Sequence, residues 1–191
     1  NSEETIEVNS YIEPILSSLE QDYSHKAFNN LFLTFEFLED TNTILVKRKS
    51  RDNNTKDMYM AVNLYTEDDT IGELEYELDK EKFAGRQNVE LPVAVQNSAP
   101  LTRRVQRTTE PIIAMRRTIK ILPSEKVVLN LIISVSKQRE EAINNVRENM
   151  NNEKIIRNMN LAKAKVEAES LYVGVKAVDI EKYQNMAKYL I

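Results

Sequence analysis

Apolar residues fall on every second position in a succession of short runs between residues 6 and 135, then at spacings of three and four from Ala142 onward. A period of two belongs to strands with one buried face, and a period near 3.6 belongs to helices. This switch restricts the chain to a β domain followed by helices. Ile6, Val8 and Ile12 alternate with Glu7, Asn9 and Glu13, and Leu31, Leu33, Phe35 and Phe37 with Phe32, Thr34 and Glu36. Ile44 and Val46 follow a turn-like Glu39-Asp40-Thr41-Asn42. After a polar loop over 47–56, Met58, Met60, Val62 and Leu64 oppose Tyr59, Ala61, Asn63 and Tyr65. Leu74, Tyr76 and Leu78 alternate with Glu73, Glu75 and Glu77, a carboxylate row that must be solvated or meet basic residues. A short strand is expected at 92–96 and an extended loop after it. Ile113, Met115, Ile119 and Ile121 then share a face with Arg117, while Arg116, Thr118 and Lys120 point the other way. Val127, Leu129, Leu131, Ile133 and Val135 make the cleanest alternation.

Helical periodicity takes over at Ala142, Ile143, Val146 and Met150, with Ser136 as the expected cap. Asn151-Asn152 interrupts it. A second helix carries Ile155, Met159, Ala162 and Val166 and ends at Gly174. Asp179 is expected to cap a last helix with Ile180, Tyr183, Ala187 and Leu190. Strands in sequence and then helices predict a mainly β fold with C-terminal α structure: an antiparallel β-sandwich over 1–135 and linker helices over 136–191. No βαβ alternation appears, which argues against a doubly wound nucleotide-binding sheet.

The residue inventory narrows the chemistry. With no Cys, the chain has no disulfide, no thiolate metal site and no Cys nucleophile. A single His, His25, excludes a multi-histidine metal site within it. There is no Trp to stack on a sugar ring and no apolar run long enough to span a membrane. The first residue is Asn1, with no basic-then-apolar run after it, and the N-terminus is read as a processing or cloning boundary. No cofactor is expected, and a cytoplasmic location is. Charge is uneven: residues 1–100 hold 20 acidic and 9 basic groups, and residues 101–191 hold 10 and 17. The isoelectric point near 5.3 argues against a nucleic-acid partner, so the two halves are expected to attract each other or a neighbouring domain.

Few residues suggest chemistry. Two of Glu73, Glu75 and Glu77 could in principle serve as a glycosidase acid–base pair, but a carboxylate row on one strand face is far more often a solvated surface. His25 sits in a polar lead-in to a strand. Tyr59, Tyr65 and Tyr76 could stack on sugars or simply pack a sheet. Arg116-Arg117 straddles two sheet faces, so one of the two is at least partly buried and needs carboxylate or carbonyl partners. Arg86 follows Gly85, where the backbone can turn sharply. Arg86, Arg116, Tyr65 and Tyr76 are the candidate carbohydrate contacts; no catalytic or metal-ligating residue is assigned.

Five stretches in order carry a likeness. Ile6-Glu7-Val8-Asn9-Ser10-Tyr11-Ile12-Glu13 resembles a strand of the form IEVTSYAE, and Ser24-His25-Lys26-Ala27-Phe28-Asn29-Asn30-Leu31-Phe32 a segment HPAFSNLF. Gly72–Asp79 with Phe83-Ala84-Gly85-Arg86 is similar to a strand followed by a FLGRG-like turn. Pro111–Arg117 resembles DPIFSLRR, and Ser136–Ala142 an SREEAL helix start. Together these stretches resemble the β-sandwich region of the family 94 glycoside phosphorylases and cyclic β-1,2-glucan synthases. Lys26, Gln87 and Glu110 depart from the pattern, where the family has Pro, Gly and Asp. The resemblance implies the C-terminal part of a larger supersandwich, incomplete at its N-terminal side, leading toward an (α/α)6 barrel that carries the general acid. It implies inorganic phosphate as the parent's co-substrate, the parent's barrel as partner, β-glucan as a possible ligand, a homodimer, and no activity for this piece alone. A stand-alone module whose helices dock a partner is the other reading.

Overall fold

The computed structural model describes residues 2–50, 56–85, 90–187 and 189. They form two compact units, residues 1–150 and 151–191. The first is a sandwich of two antiparallel sheets. One sheet has the order β1-β6-β5, from Glu4–Ile12, Pro111–Ile121 and Thr70–Asp79. The other has the order β2-β3-β4-β7, from Leu33–Leu38, Thr43–Arg48, Met58–Tyr65 and Asn130–Ser136. Register follows the alternation: Ile12 lies opposite Ile113, Phe37 opposite Ile44, and Val62 opposite both Ile44 and Ile133.

Both faces of each sheet are used. Between the sheets, Ile44, Val46, Val62 and Leu64 meet Leu74, Tyr76, Leu78, Ile113 and Met115. On the outside of the three-stranded sheet, Ile112 and Ala114 pack under Phe83, Ala84 and Ala94. Among the described residues three helices precede β6: α1 is Leu19–Asn30, α2 Lys80–Ala84, which carries Phe83 and Ala84, and α3 Val93–Gln96, which carries Ala94. On the outside of the other sheet, Leu45 and Ala61 are covered by Ala142, Ile143 and Val146 of α4, Arg139–Asn149. The first compact unit runs to Met150 and so includes α4.

The three-stranded sheet leaves part of the four-stranded one uncovered. Leu131, Ile133 and Val135 of β7 lie opposite Leu64, Val62 and Met60, and so share their inward face. Leu64 and Val62 are buried, yet the β7 row is 44%, 49% and 49% exposed. Ile6 on β1, on the inward row of the other sheet, is also exposed.

Local structure departs from expectation in five places. Residues 19–30 are a helix, not a lead-in to a strand. Ser18 Oγ accepts the Gln21 N–H at 3.3 Å and starts it, and His25 kinks it at φ −151°, ψ 56°. Residues 93–96 form one helical turn after Pro92 instead of a strand, because Ala94 packs into the outer cluster. Val127, Val128 and Leu129 precede β7, which begins at Asn130. Gln138, not Ser136, caps α4; the Ser136 hydroxyl accepts the Gln138 N–H and donates to Glu141. Asp179 lies inside the first turn of its helix rather than capping it.

The second unit holds α5, Asn152–Tyr172, and α6, Ala177–Ala187. Asn151 caps α5 by accepting the Lys154 N–H at 2.9 Å. None of the α5 side chains is buried, and Ile156, Met159, Leu161, Val166 and Leu171 are exposed.

Candidate functional site

The three candidate contacts among the described residues do not share a surface. Arg86 lies outside the described residues. Arg116 is 2% exposed and points to the outside of the three-stranded sheet, beneath α3. Its Nε donates to Asn9 Oδ1 at 2.9 Å, Nη1 to the Ala99 carbonyl at 2.9 Å and to Glu75 at 3.4 Å, and Nη2 to the Ala94 carbonyl at 2.8 Å. A guanidinium whose planar fork is filled this way joins β1, β5, α3 and the loop after it. Tyr76 points to the opposite face of the same sheet and is 4% exposed, its ring centroid 4.6 Å from that of Phe37. Its hydroxyl donates to the Arg103 carbonyl at 2.8 Å. Both side chains are built into the fold. Tyr65 ends β4 on the other sheet, half-buried, and donates to Glu67 at 3.0 Å.

The carboxylate row meets the basic half. Glu73 pairs with Arg103 at 2.5 Å, and Glu75 accepts the Leu101 N–H at 3.2 Å. Glu77 is 1% exposed and accepts the Leu78 and Asp79 N–H groups at 3.0 and 3.2 Å and the Thr102 hydroxyl at 2.7 Å. These three oxygen sets bind residues 101–103 down along β5. Arg117, on the inward face, is half-buried; its Nε donates to the Leu64 carbonyl at 3.3 Å, and burial lowers its pKa.

A recess that sequence reading did not single out gathers most of the remaining polar chemistry. It lies where the ends of β1 and β5 and the start of β6 meet α1. Its volume is about 220 Å³, and Glu13, Lys26, Asn30, Lys80 and Glu110 line it. Glu13 is the hub: Lys26 Nζ donates to Oε2 at 2.6 Å, Lys80 Nζ to Oε1 at 2.8 Å and the Tyr11 hydroxyl to Oε1 at 2.7 Å. The Lys26 bond, then the Lys80 bond, hold its carboxyl down at about 2 against the opposing effect of burial. The same pair raises Lys26. Burial, then the bond to Glu13, raises the Tyr11 phenol. The Tyr11 ring stacks on Phe83 with centroids 5.8 Å apart. Asn30 Nδ2 donates to the Thr109 carbonyl at 3.2 Å, and the Lys80 N–H to the Glu110 carbonyl at 3.1 Å. No local motif announces this site, since each residue taken alone is an ordinary surface residue.

Among the described residues, no group of three or more His, Asp or Glu side chains is placed to hold a metal ion. No helix among them is long and apolar enough to cross a membrane.

Two antiparallel sheets packed face to face, with helices outside each sheet, define a β-sandwich domain. The model of the glycosyl hydrolase 94 supersandwich domain matches residues 1–152, and the chain belongs to that family. It is also similar to the cyclic beta-(1,2)-glucan synthase NdvB of Rhizobium meliloti (strain 1021), with 26% identity over 192 residues. That match takes in 97% of this chain but only 7% of the relative's length.

Proposed function

We propose that this chain is an accessory sandwich of a larger β-glucan phosphorylase or cyclic β-1,2-glucan synthase-like enzyme. It supports the enzyme's catalytic part and helps hold carbohydrate, and it carries no chemistry of its own. In such a parent, an acid on an (α/α)6 barrel protonates the leaving glycosidic oxygen, and inorganic phosphate is the attacking group.

The inward row of β7 carries this reading. Leu131, Ile133 and Val135 face the direction of the core, and nothing among the described residues covers them as fully as their neighbours are covered. Fully burying a side chain of this kind contributes about 1.5–3 kcal/mol. Additional strands of the parent sandwich, seated over β7, would gain roughly half of that at each position. The exposed apolar residues of α5 support the same reading, because a helix of this length without a buried face needs a neighbour.

The edge of β7, Asn130-Leu131-Ile132-Ile133-Ser134-Val135-Ser136, carries no charge. Uncharged edge strands invite pairing, which is the basis for a homodimer of the isolated chain. Size-exclusion chromatography with light scattering tests that part, and a monomer at all concentrations contradicts it.

The functional reading is tested by assaying phosphorolysis and glucosyl transfer on β-1,2-glucan with the 191-residue chain and with the longer polypeptide that carries it. Activity in the longer polypeptide alone, reduced when Leu131 and Ile133 are both changed to Lys, is the expected result. Turnover by the 191-residue chain itself overturns it.

A further inference from the structure

The stretches that carry the family likeness are spread over more than 100 residues, yet four of them reach or border one recess. Glu13 closes Ile6–Glu13, and Lys26, Ala27 and Asn30 come from Ser24–Phe32. Lys80 follows Gly72–Asp79 directly, and Pro111 opens Pro111–Arg117. None of these residues was assigned a role by the reading of β5 or β7.

We propose that this recess is a subsite for a neutral polyhydroxylated ligand the size of one hexose ring. The ligand class rests on the carbohydrate reading above, but the site and its neutrality rest on the lining. A sugar hydroxyl donates one hydrogen bond and accepts others, so its site needs donors and acceptors side by side. Lys26, Lys80 and Asn30 supply donors, and Glu13 and Glu110 supply acceptors, around a volume of about 220 Å³. Two ammonium groups together would suit an anion. Here Glu13 already occupies the place between them, at 2.6 and 2.8 Å, and Glu110 adds a second negative charge at the wall. The lining charges therefore balance, and phosphate is disfavoured.

The site is also preorganised. Both oxygens of Glu13 are fixed by lysines, and Tyr11, which holds one of them, is fixed by stacking on Phe83. Little side-chain freedom remains to be lost on binding. No aromatic ring lines the recess, so the expected affinity is millimolar.

The test is a 15N heteronuclear NMR titration of the 191-residue chain with glucose, with a β-1,2-linked glucose disaccharide and with inorganic phosphate. Saturable shifts at the amides of Glu13, Lys26, Asn30 and Lys80 with both sugars, and none with phosphate, are expected. Lys80→Met should weaken sugar binding at least tenfold. If that variant does not fold, Asn30→Ala, which removes one donor and leaves the Glu13 triad intact, should weaken it severalfold. Absence of saturable shifts in the folded chain overturns the proposal, as do shifts caused by phosphate alone. Neither result touches the accessory reading, which is measured by activity of the longer polypeptide. Failure of that reading would equally leave this titration standing.

Discussion

Tyr76 and Arg103 hold each other twice: the Arg103 N–H donates to the Tyr76 carbonyl at 3.0 Å, and the Tyr76 hydroxyl donates to the Arg103 carbonyl at 2.8 Å. Arg103 takes up φ +54° to close this pair, a conformation that costs a non-glycine residue energy unless its surroundings impose it. Tyr76 is the anchor, its ring packed between the sheets. The pair thus ties residues 99–103, which also receive Glu75, Glu77 and Arg116, to the edge of β5.

Tyr76→Phe keeps the ring and removes one of the two bonds. A buried neutral hydrogen bond contributes about 1 kcal/mol, so Tm should fall by about 2–4 °C in a chain of this size. Amide exchange should rise in residues 99–103 and stay unchanged in β3. A uniform rise across the sandwich would show that the contact does not act locally.

Arg116→Ala should be among the most destabilising single changes in the sandwich. It leaves Asn9, Glu75 and the carbonyls of Ala94 and Ala99 without their donor in a buried place, at a cost of about 3–5 kcal/mol. Arg116→Lys should not restore stability, because an ammonium cannot reach three directions in a plane. Arg117→Ala should cost less than Arg116→Ala and more than Arg103→Ala, in line with their depth. Chemical denaturation of the three variants gives the order, and equal midpoints would contradict it.

Glu13 makes a prediction about acid. Its folded-state pKa, about 2, lies below the ordinary carboxyl value of 4.5. The unfolded chain therefore binds this proton more tightly than the folded one, and the stabilisation from Glu13 is present above pH 4.5. It is lost as pH falls from there toward 2. Glu13→Gln should flatten this part of the acid limb of a Tm-against-pH curve. A wild-type limb indistinguishable from that of the variant would show that the Lys26 and Lys80 bonds do not persist in solution.

Two isoleucines on the inward faces of the two sheets separate covered from uncovered core. Ile113 is fully buried and Ile133 is about half exposed. In the 191-residue chain Ile113→Ala should cost about 2–5 kcal/mol, and Ile133→Ala less than half as much. Equal costs would mean that β7 is already covered.

Much of this was legible in the sequence. Alternation located the seven strands found among the described residues, and at β6 it also sorted faces correctly, placing Arg116 and Arg117 on opposite sides. The α1 helix was not legible from periodicity, because Leu19–Asn30 has almost no apolar face; Asn29 is its one buried residue. A local signal was nevertheless present. Ser18 and Gln21 have the spacing of a capping box, and Ser18 does cap. The turn at 93–96 looked like a strand because Val-Ala-Val favours one, and packing of Ala94 under the sheet overrode that preference. The recess around Glu13 was out of reach for a different reason. Its groups come from four segments, and only the tertiary fold brings Lys26 and Lys80 to the same carboxylate.

The central claim is that the sandwich formed by residues 1–150 is a part of a larger one, completed over β7. Hydrogen exchange at residues 130–136 tests it most directly, measured in the 191-residue chain and in the longer polypeptide. The account predicts that β7 exchanges faster than β3 and β4 in the chain alone and becomes as protected as they are in the longer polypeptide. The same fast exchange of β7 in both would contradict it.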